Sequence, residues 1–223
     1  MTASESGPKA QSHRNTTFLS PHRRSHAWRL VFAVLLLLIT AVPIERGAVS
    51  DLEARIFFWF NDLYGWITGP LWVVMQLGAL IAVPVVALAA LVMRNRRLAL
   101  DVLIAGTLAW LLANVVKEAV GRARPHALLA DVVLRGETPT GLGYVSGHAA
   151  VSCAMAAVIA PYLSFRGKVV VWCLAGAVCV ARVYMGVHLP LDVVGGAAMG
   201  WALGSLVHFV FGEPERPNQR RTA

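Results

Sequence analysis

The sequence predicts an all-α, membrane-embedded fold: a six-helix bundle with an interfacial helix between the first and second membrane helices. Three observations carry that prediction. Of 223 residues, 57% are hydrophobic and 14% charged, with a mean hydropathy of +0.61, outside the range of soluble domains. The apolar residues gather into stretches of about 20, the length that crosses ~30 Å of hydrocarbon at ~1.5 Å rise per residue. Those stretches lack the polar stripe of a solvent-facing helix, which excludes a soluble helical protein with a large core.

The membrane segments fall at roughly 28–44, 70–93, 98–116, 147–165, 169–187 and 191–211. Residues 1–27, rich in Ser, His and Arg with no apolar period, predict a disordered cytoplasmic tail; 28–211 form a single membrane domain, and 212–223 a second cytoplasmic tail. No small-x-small site precedes Glu45-Arg46, so the first apolar run reads as an uncleaved helix. Residues 51–68 place Phe57, Phe58, Trp59, Phe60, Tyr64 and Trp66 among Asp and Asn, as in a helix at headgroup level. That stretch fits a plain aromatic belt and a guide for an amphiphile equally well. The third segment ends in Lys117, Arg122 and Arg124, with Pro125 stopping helical continuation. For Arg122 the simplest reading is a side chain snorkelling to the interface.

Ser146-Gly147-His148 opens the fourth segment, where free amide N–H groups and the positive dipole end can hold an anion, although Ser at a helix start is more often only a cap. The fifth segment ends near Arg182, and a guanidinium in the membrane needs an anion. His188 and Asp192 stand four apart with Pro190 in the first turn of the sixth helix, a spacing at which the carboxylate can fix the imidazole tautomer. Taken alone, that pair fits a structural turn as well as a reacting group. Gly196, Gly200 and Gly204 recur every fourth residue and predict close helix packing. Cys153, Cys173 and Cys179 lie inside membrane segments without CxxC spacing, so they read as packing residues rather than a disulfide or metal site.

Of the 20 Lys and Arg residues, 13 fall in the tails and loops that are cytoplasmic if the amino terminus is inside. Outside lie Arg46, Arg55, Arg122 and Arg135, together with Lys117, Arg124 and Arg182 of the clusters. The bias predicts both termini in the cytoplasm of a multi-pass cell-membrane protein, with the clusters facing outward. The net charge of +8 and pI near 10 are spread over separate inner loops, so anionic lipid headgroups explain them and nucleic acid does not.

Together, Lys117-x6-Arg124-Pro125, Ser146-Gly147-His148 and Arg182-x5-His188-x3-Asp192 resemble the three-part signature of the type 2 phosphatidic acid phosphatase superfamily, membrane lipid phosphate phosphatases related to vanadium haloperoxidases. The motifs run from 117 to 192, and the six-helix layout extends the likeness over about 28–211. Val145 stands where the family usually has Pro, and Ala181 where it often has Ser; neither change removes a reacting group.

The resemblance implies that His188 takes the phosphoryl group as a phosphohistidine, with Asp192 orienting it. It implies that His148 protonates the leaving oxygen and then activates water, while Lys117, Arg124, Arg182, Ser146 and the Gly147 amide hold the phosphate oxygens. Three cations can neutralise a phosphate without a metal, and no cofactor is expected. The expected substrate is a lipid monophosphate or diphosphate, isoprenoid diphosphate included, with the segment 121–146 (Asp131, Arg135, Glu137) shaping the headgroup pocket. The alternatives are a phosphotransferase of the same superfamily and a non-catalytic lipid-phosphate binder or transporter. Oligomeric state and pathway are not encoded in any motif.

Overall fold

The computed structural model describes residues 21–42, 49–136 and 138–214. Among them the chain is helical without strands: α1 (Pro21–Ala41), α2 (Asp51–Asn61), α3 (Thr68–Met75), α4 (Ala82–Val92), α5 (Arg96–Val120), α6 (Pro125–Leu128), α7 (Gly147–Ile159), α8 (Phe165–Tyr184) and α9 (Pro190–Phe211). Most of the first tail, residues 1–20, and residues 215–223 of the second lie outside the described residues, as does Glu137. Residues 21–27, expected as tail, are instead the first two turns of α1.

The six apolar segments correspond to helical stretches, but not to six straight crossings. Arg96–Leu128, Phe165–Tyr184 and Pro190–Phe211 are long and apolar enough to span, whereas Ala27–Ala41 and Gly147–Tyr162 are shorter apolar helices. The expected straight span 70–93 is two pieces, Gly65–Gly78 and Ala82–Val92, bent by 71°. Gly78 ends the first piece where packing is closest: a Cβ there would lie 2.6 Å from the His148 carbonyl oxygen and 2.8 Å from Val178 Cγ1. α5 also ends differently from the expectation. Gly121, at φ +68°, adopts the left-handed cap and donates its N–H to the Lys117 carbonyl at 2.9 Å, four residues before Pro125, which begins α6 instead.

The core is built on α7, packed between α9 and α5, with α1 on the other side of α9. The glycine stripe makes this possible. A Cβ on Gly196 would strike the Ser146 carbonyl, one on Gly200 the Ala150 carbonyl, and one on Gly204 the Ala157 side chain, so α9 lies against the α7 backbone itself. Cys153 packs with Ala156 and Ala175 in an apolar cluster that Cys179 adjoins. Outward faces are apolar, with Ile81, Val85, Leu88 and Val92 on or beside α4 and Leu100 and Val115 on α5 all exposed. A monomeric soluble chain would not leave so large an apolar surface in water. The protein is a multi-pass membrane protein.

Candidate active site

Four helix ends meet at one end of the bundle: the C-termini of α5 and α8 and the N-termini of α7 and α9. They enclose a cavity of about 210 Å³ lined by Lys117, Arg124, Gly147, His148, Arg182 and His188, together with Gly78–Leu80, Trp110, Ala113 and Asn114. The three sequence-distant clusters therefore converge. Ser146 lies buried directly behind Gly147, and Asp192 is buried behind His188. Lys117 Nζ reaches to 3.9 Å from the position a Cβ on Gly147 would take, so the ammonium sits over the start of α7.

The loop side of the cavity is rigidly held. Arg124 donates through Nη1 to the Val187 carbonyl at 2.8 Å, through Nη2 to the Thr140 carbonyl at 3.2 Å and through Nε to the Gly141 carbonyl at 3.3 Å. Its Nη1 also lies 2.9 Å from His188 Nε2. Nη1 is also 3.5 Å from Nδ1, so the guanidinium lies across the ring, and it is the nearby Asp192 carboxylate that makes Nδ1 the nitrogen suited to carry the proton. Nδ1 faces Asp192 Oδ2 at 3.5 Å, longer than a hydrogen bond and close enough for electrostatic orientation. Burial, reinforced by the charges of Arg182, Arg124 and Lys117, pushes the His188 imidazole well below its usual range, so it is neutral at pH 7.

Asp192 is engaged chiefly elsewhere. Its Oδ1 accepts from Arg122 Nη1 at 2.8 Å, and its Oδ2 accepts the Leu189 N–H at 2.9 Å. Arg122 in turn forms a two-pronged pair with Glu53 of α2, at 2.7 and 3.1 Å, and Glu53 Oε1 accepts the Leu191 N–H at 3.1 Å. This corrects the reading of Arg122 as a snorkelling interfacial residue. It is buried, with two carboxylates, because Gly121 redirects the chain so that Arg122 turns inward towards α2 while Arg124 turns into the cavity. Glu53 is a site-supporting residue that the sequence reading missed; it lies 69 positions from Arg122 and has no local signature.

α2 is accordingly more than an aromatic belt. Its inward residues Glu53, Phe57 and Asn61 follow helical spacing, and Phe57 packs in a cluster with Ala149, Val183, Leu189 and Val193. Asn61 donates to the carbonyls of Val133 and Tyr184 and accepts the Val133 N–H, while Trp59, Tyr64 and Trp66 remain exposed. Of the segment 121–146, expected to shape the headgroup pocket, Arg124 alone among the described residues lines the cavity. Arg135 lies over the Tyr184 ring and donates to the Tyr184 and Leu63 carbonyls, and neither it nor Asp131 lines the cavity. The segment contributes the Thr140 and Gly141 carbonyls that hold Arg124.

The helix side is different. Ser146 is the N-cap residue of α7, but its hydroxyl makes no capping bond and is buried without a partner among the described residues. Arg182 has a buried Nε without a partner, and its Nη1 is paired only with Met75 Sδ at 2.9 Å. Buried donors left this way are rare in folded proteins and point to a ligand that accepts from them.

The sequence profile of the PAP2 superfamily matches residues 98–215. The chain belongs to that superfamily. It is a lipid phosphatase by class, a hydrolase of phosphoric monoesters or diphosphates, as its relatives are. The undecaprenyl-diphosphatase of Sulfolobus acidocaldarius is 28% identical over 84% of this chain and 90% of its own. The decaprenylphosphoryl-5-phosphoribose phosphatase of Mycobacterium tuberculosis is 31% identical over 67% of this chain and 76% of its own. Among solved structures, the PAP2-type phosphatidylglycerolphosphate phosphatase of Bacillus subtilis superposes with a TM-score of 0.66, at 22% identity, over 85% of this chain and 99% of its own. Aquifex aeolicus LpxE gives 0.61 at 23% identity, over 72% and 98%. These two likenesses are of fold.

Proposed function

We propose that the protein removes phosphate from a prenyl-linked lipid phosphate or diphosphate through a phosphohistidine at His188, without a metal ion. The observation that carries this reading is the pairing, in one cavity, of a neutral imidazole with three cations, beside two buried donors, Arg182 Nε and Ser146 Oγ, that lack a partner among the described residues. A phosphate dianion satisfies all of them at once: Lys117, Arg124 and Arg182 neutralise it, and the Ser146 hydroxyl and Gly147 N–H complete the cradle. His188 Nε2 then attacks phosphorus. The N–P bond forms as the bond to the leaving oxygen breaks, and His148 supplies the proton that oxygen needs. In the second half, His148 takes a proton from water, the new O–P bond forms and the N–P bond breaks, which returns His188 neutral and releases phosphate. Asp192, held by Arg122 and the Leu189 N–H, keeps the proton on Nδ1 throughout and stabilises the charge that develops there.

Both curated relatives are named for polyprenyl-linked phosphates, which favours a prenyl chain over a diacylglycerol. The charge bias of the loops supports a single membrane domain over about 28–211 with both termini cytoplasmic and the cavity facing outward. The experiment is phosphate release by the purified protein from a panel of prenyl and diacyl lipid phosphates with EDTA present, beside His188→Ala and His148→Ala. Release from prenyl substrates in EDTA that both variants abolish supports the reading; a strict magnesium requirement, or activity only on soluble esters, contradicts it. Adding a competing alcohol separates hydrolysis from transfer by its products.

A further inference from the structure

The opposite end of the bundle holds a larger cavity, about 510 Å³, that the chemistry above does not use. It is lined by Arg29 of α1, Lys168 and Trp172 of α8, and Trp201, Ser205 and His208 of α9, with Glu213 at its edge. The C-terminal ends of α7 and α9 and the start of α8 bound it, so it lies on the order of 15–20 Å along α7 from His148, at ~1.5 Å per residue. It is a separate site.

The composition of the lining points to an occupant. Two cations line it, and the side chains of Arg29 and Lys168 have no hydrogen-bond or ion-pair partner among the described residues. The neighbouring cation Arg97 shows the contrast: it is paired with Asp101 at 2.8 Å and donates to the Phe211 and Gly212 carbonyls at 3.1 Å. Ser205 and His208, both buried within α9, form the inner part of the lining. Trp201 is fixed by an edge contact to Phe32 at 5.9 Å, and Trp172 is partly exposed beside the exposed Val169 and Val170, so the mouth opens onto the lipid-facing surface. Indole rings at such a mouth mark the headgroup level, and basic pockets between membrane helices hold lipid headgroups there.

We propose that this cavity is a second binding site, for the phosphate headgroup of an anionic membrane phospholipid. The ligand chemistry is a phosphate anion held between Arg29 and Lys168; the lipid-facing mouth selects a headgroup over free phosphate.

Native mass spectrometry of the full chain in detergent tests this, with phosphatidylglycerol titrated against phosphatidylcholine and, in a second arm, millimolar inorganic phosphate added. Wild type should prefer phosphatidylglycerol, and Arg29→Gln/Lys168→Gln should lose that preference by roughly 30-fold, the equivalent of ~1 kcal/mol per cation. Thermal unfolding and phosphate release should be unchanged in that variant, since neither residue lines the His188 cavity. If the double variant unfolds, Lys168→Gln alone should lose about 5-fold and Lys168→Arg should restore it. Equal phosphatidylglycerol affinity in wild type and variant overturns the site. Displacement of the lipid by inorganic phosphate assigns the cavity to the free ion and overturns the lipid headgroup as its occupant.

Discussion

The two walls of the His188 cavity hold their charges in opposite ways. On the loop wall, Arg124 uses its donors on three backbone carbonyls as well as on His188, and Asp192 is locked between Arg122 and the Leu189 N–H. On the helix wall, Arg182 Nε and Ser146 Oγ are buried without a partner among the described residues. The loop wall is a finished frame that fixes the imidazole. The helix wall is complete only when an anion is present, and preorganised donors of this kind stabilise charge without reorganising during the reaction.

His188→Ala removes the group both walls serve and should lower phosphate release by at least ~10³-fold, measured as turnover against its lipid substrate. Arg182→Gln breaks the helix wall alone: kcat/KM should fall by ~10²–10³-fold while thermal unfolding is unchanged, because the Arg182 side chain donates to no backbone carbonyl among the described residues. Arg124→Gln breaks the loop wall and should cost both activity and, by ~1–3 kcal/mol in unfolding, stability, since the carbonyls of Thr140, Gly141 and Val187 lose their donor. If Arg182→Gln destabilises as much as Arg124→Gln, the contrast between the walls is wrong. Glu53→Ala should destabilise by ~1–3 kcal/mol, since Arg122 keeps Asp192 but loses its two-pronged partner, and lower activity through the loosened Asp192.

The smallest effect is on pH dependence. His188 is held below its unfolded value of about 6.5, so its stability contribution is fully present above that pH and is lost as pH falls, when the unfolded chain takes up a proton the folded chain refuses. Unfolding free energy should drop by up to ~1.4 kcal/mol per pH unit below 6.5, and His188→Asn should flatten that slope.

Much of this was legible in the sequence because membrane segments carry unusually strong signals. Length and hydropathy located the helical stretches, and the four-residue glycine spacing marked α9 as a close-packed helix. Charged groups in hydrocarbon are too costly to be incidental, so the clusters at 117–125, 146–148 and 182–192 announced one site. What escaped notice depended on geometry that no local pattern encodes. Just before the break between α3 and α4, Gly78 runs so close to the His148 carbonyl that no Cβ fits, a contact across 70 residues of chain. Arg122 and Arg124 are two residues apart and look alike in sequence; only the left-handed turn at Gly121 sends one to Glu53 and the other to His188.

The most direct test is to rapidly quench wild type during turnover of a lipid substrate radiolabelled in its reacting phosphate, in EDTA, and map the label. The account predicts an acid-labile, base-stable phosphoenzyme on His188 that His188→Ala cannot form. Label on another residue, or undiminished phosphate release by His188→Ala, contradicts it.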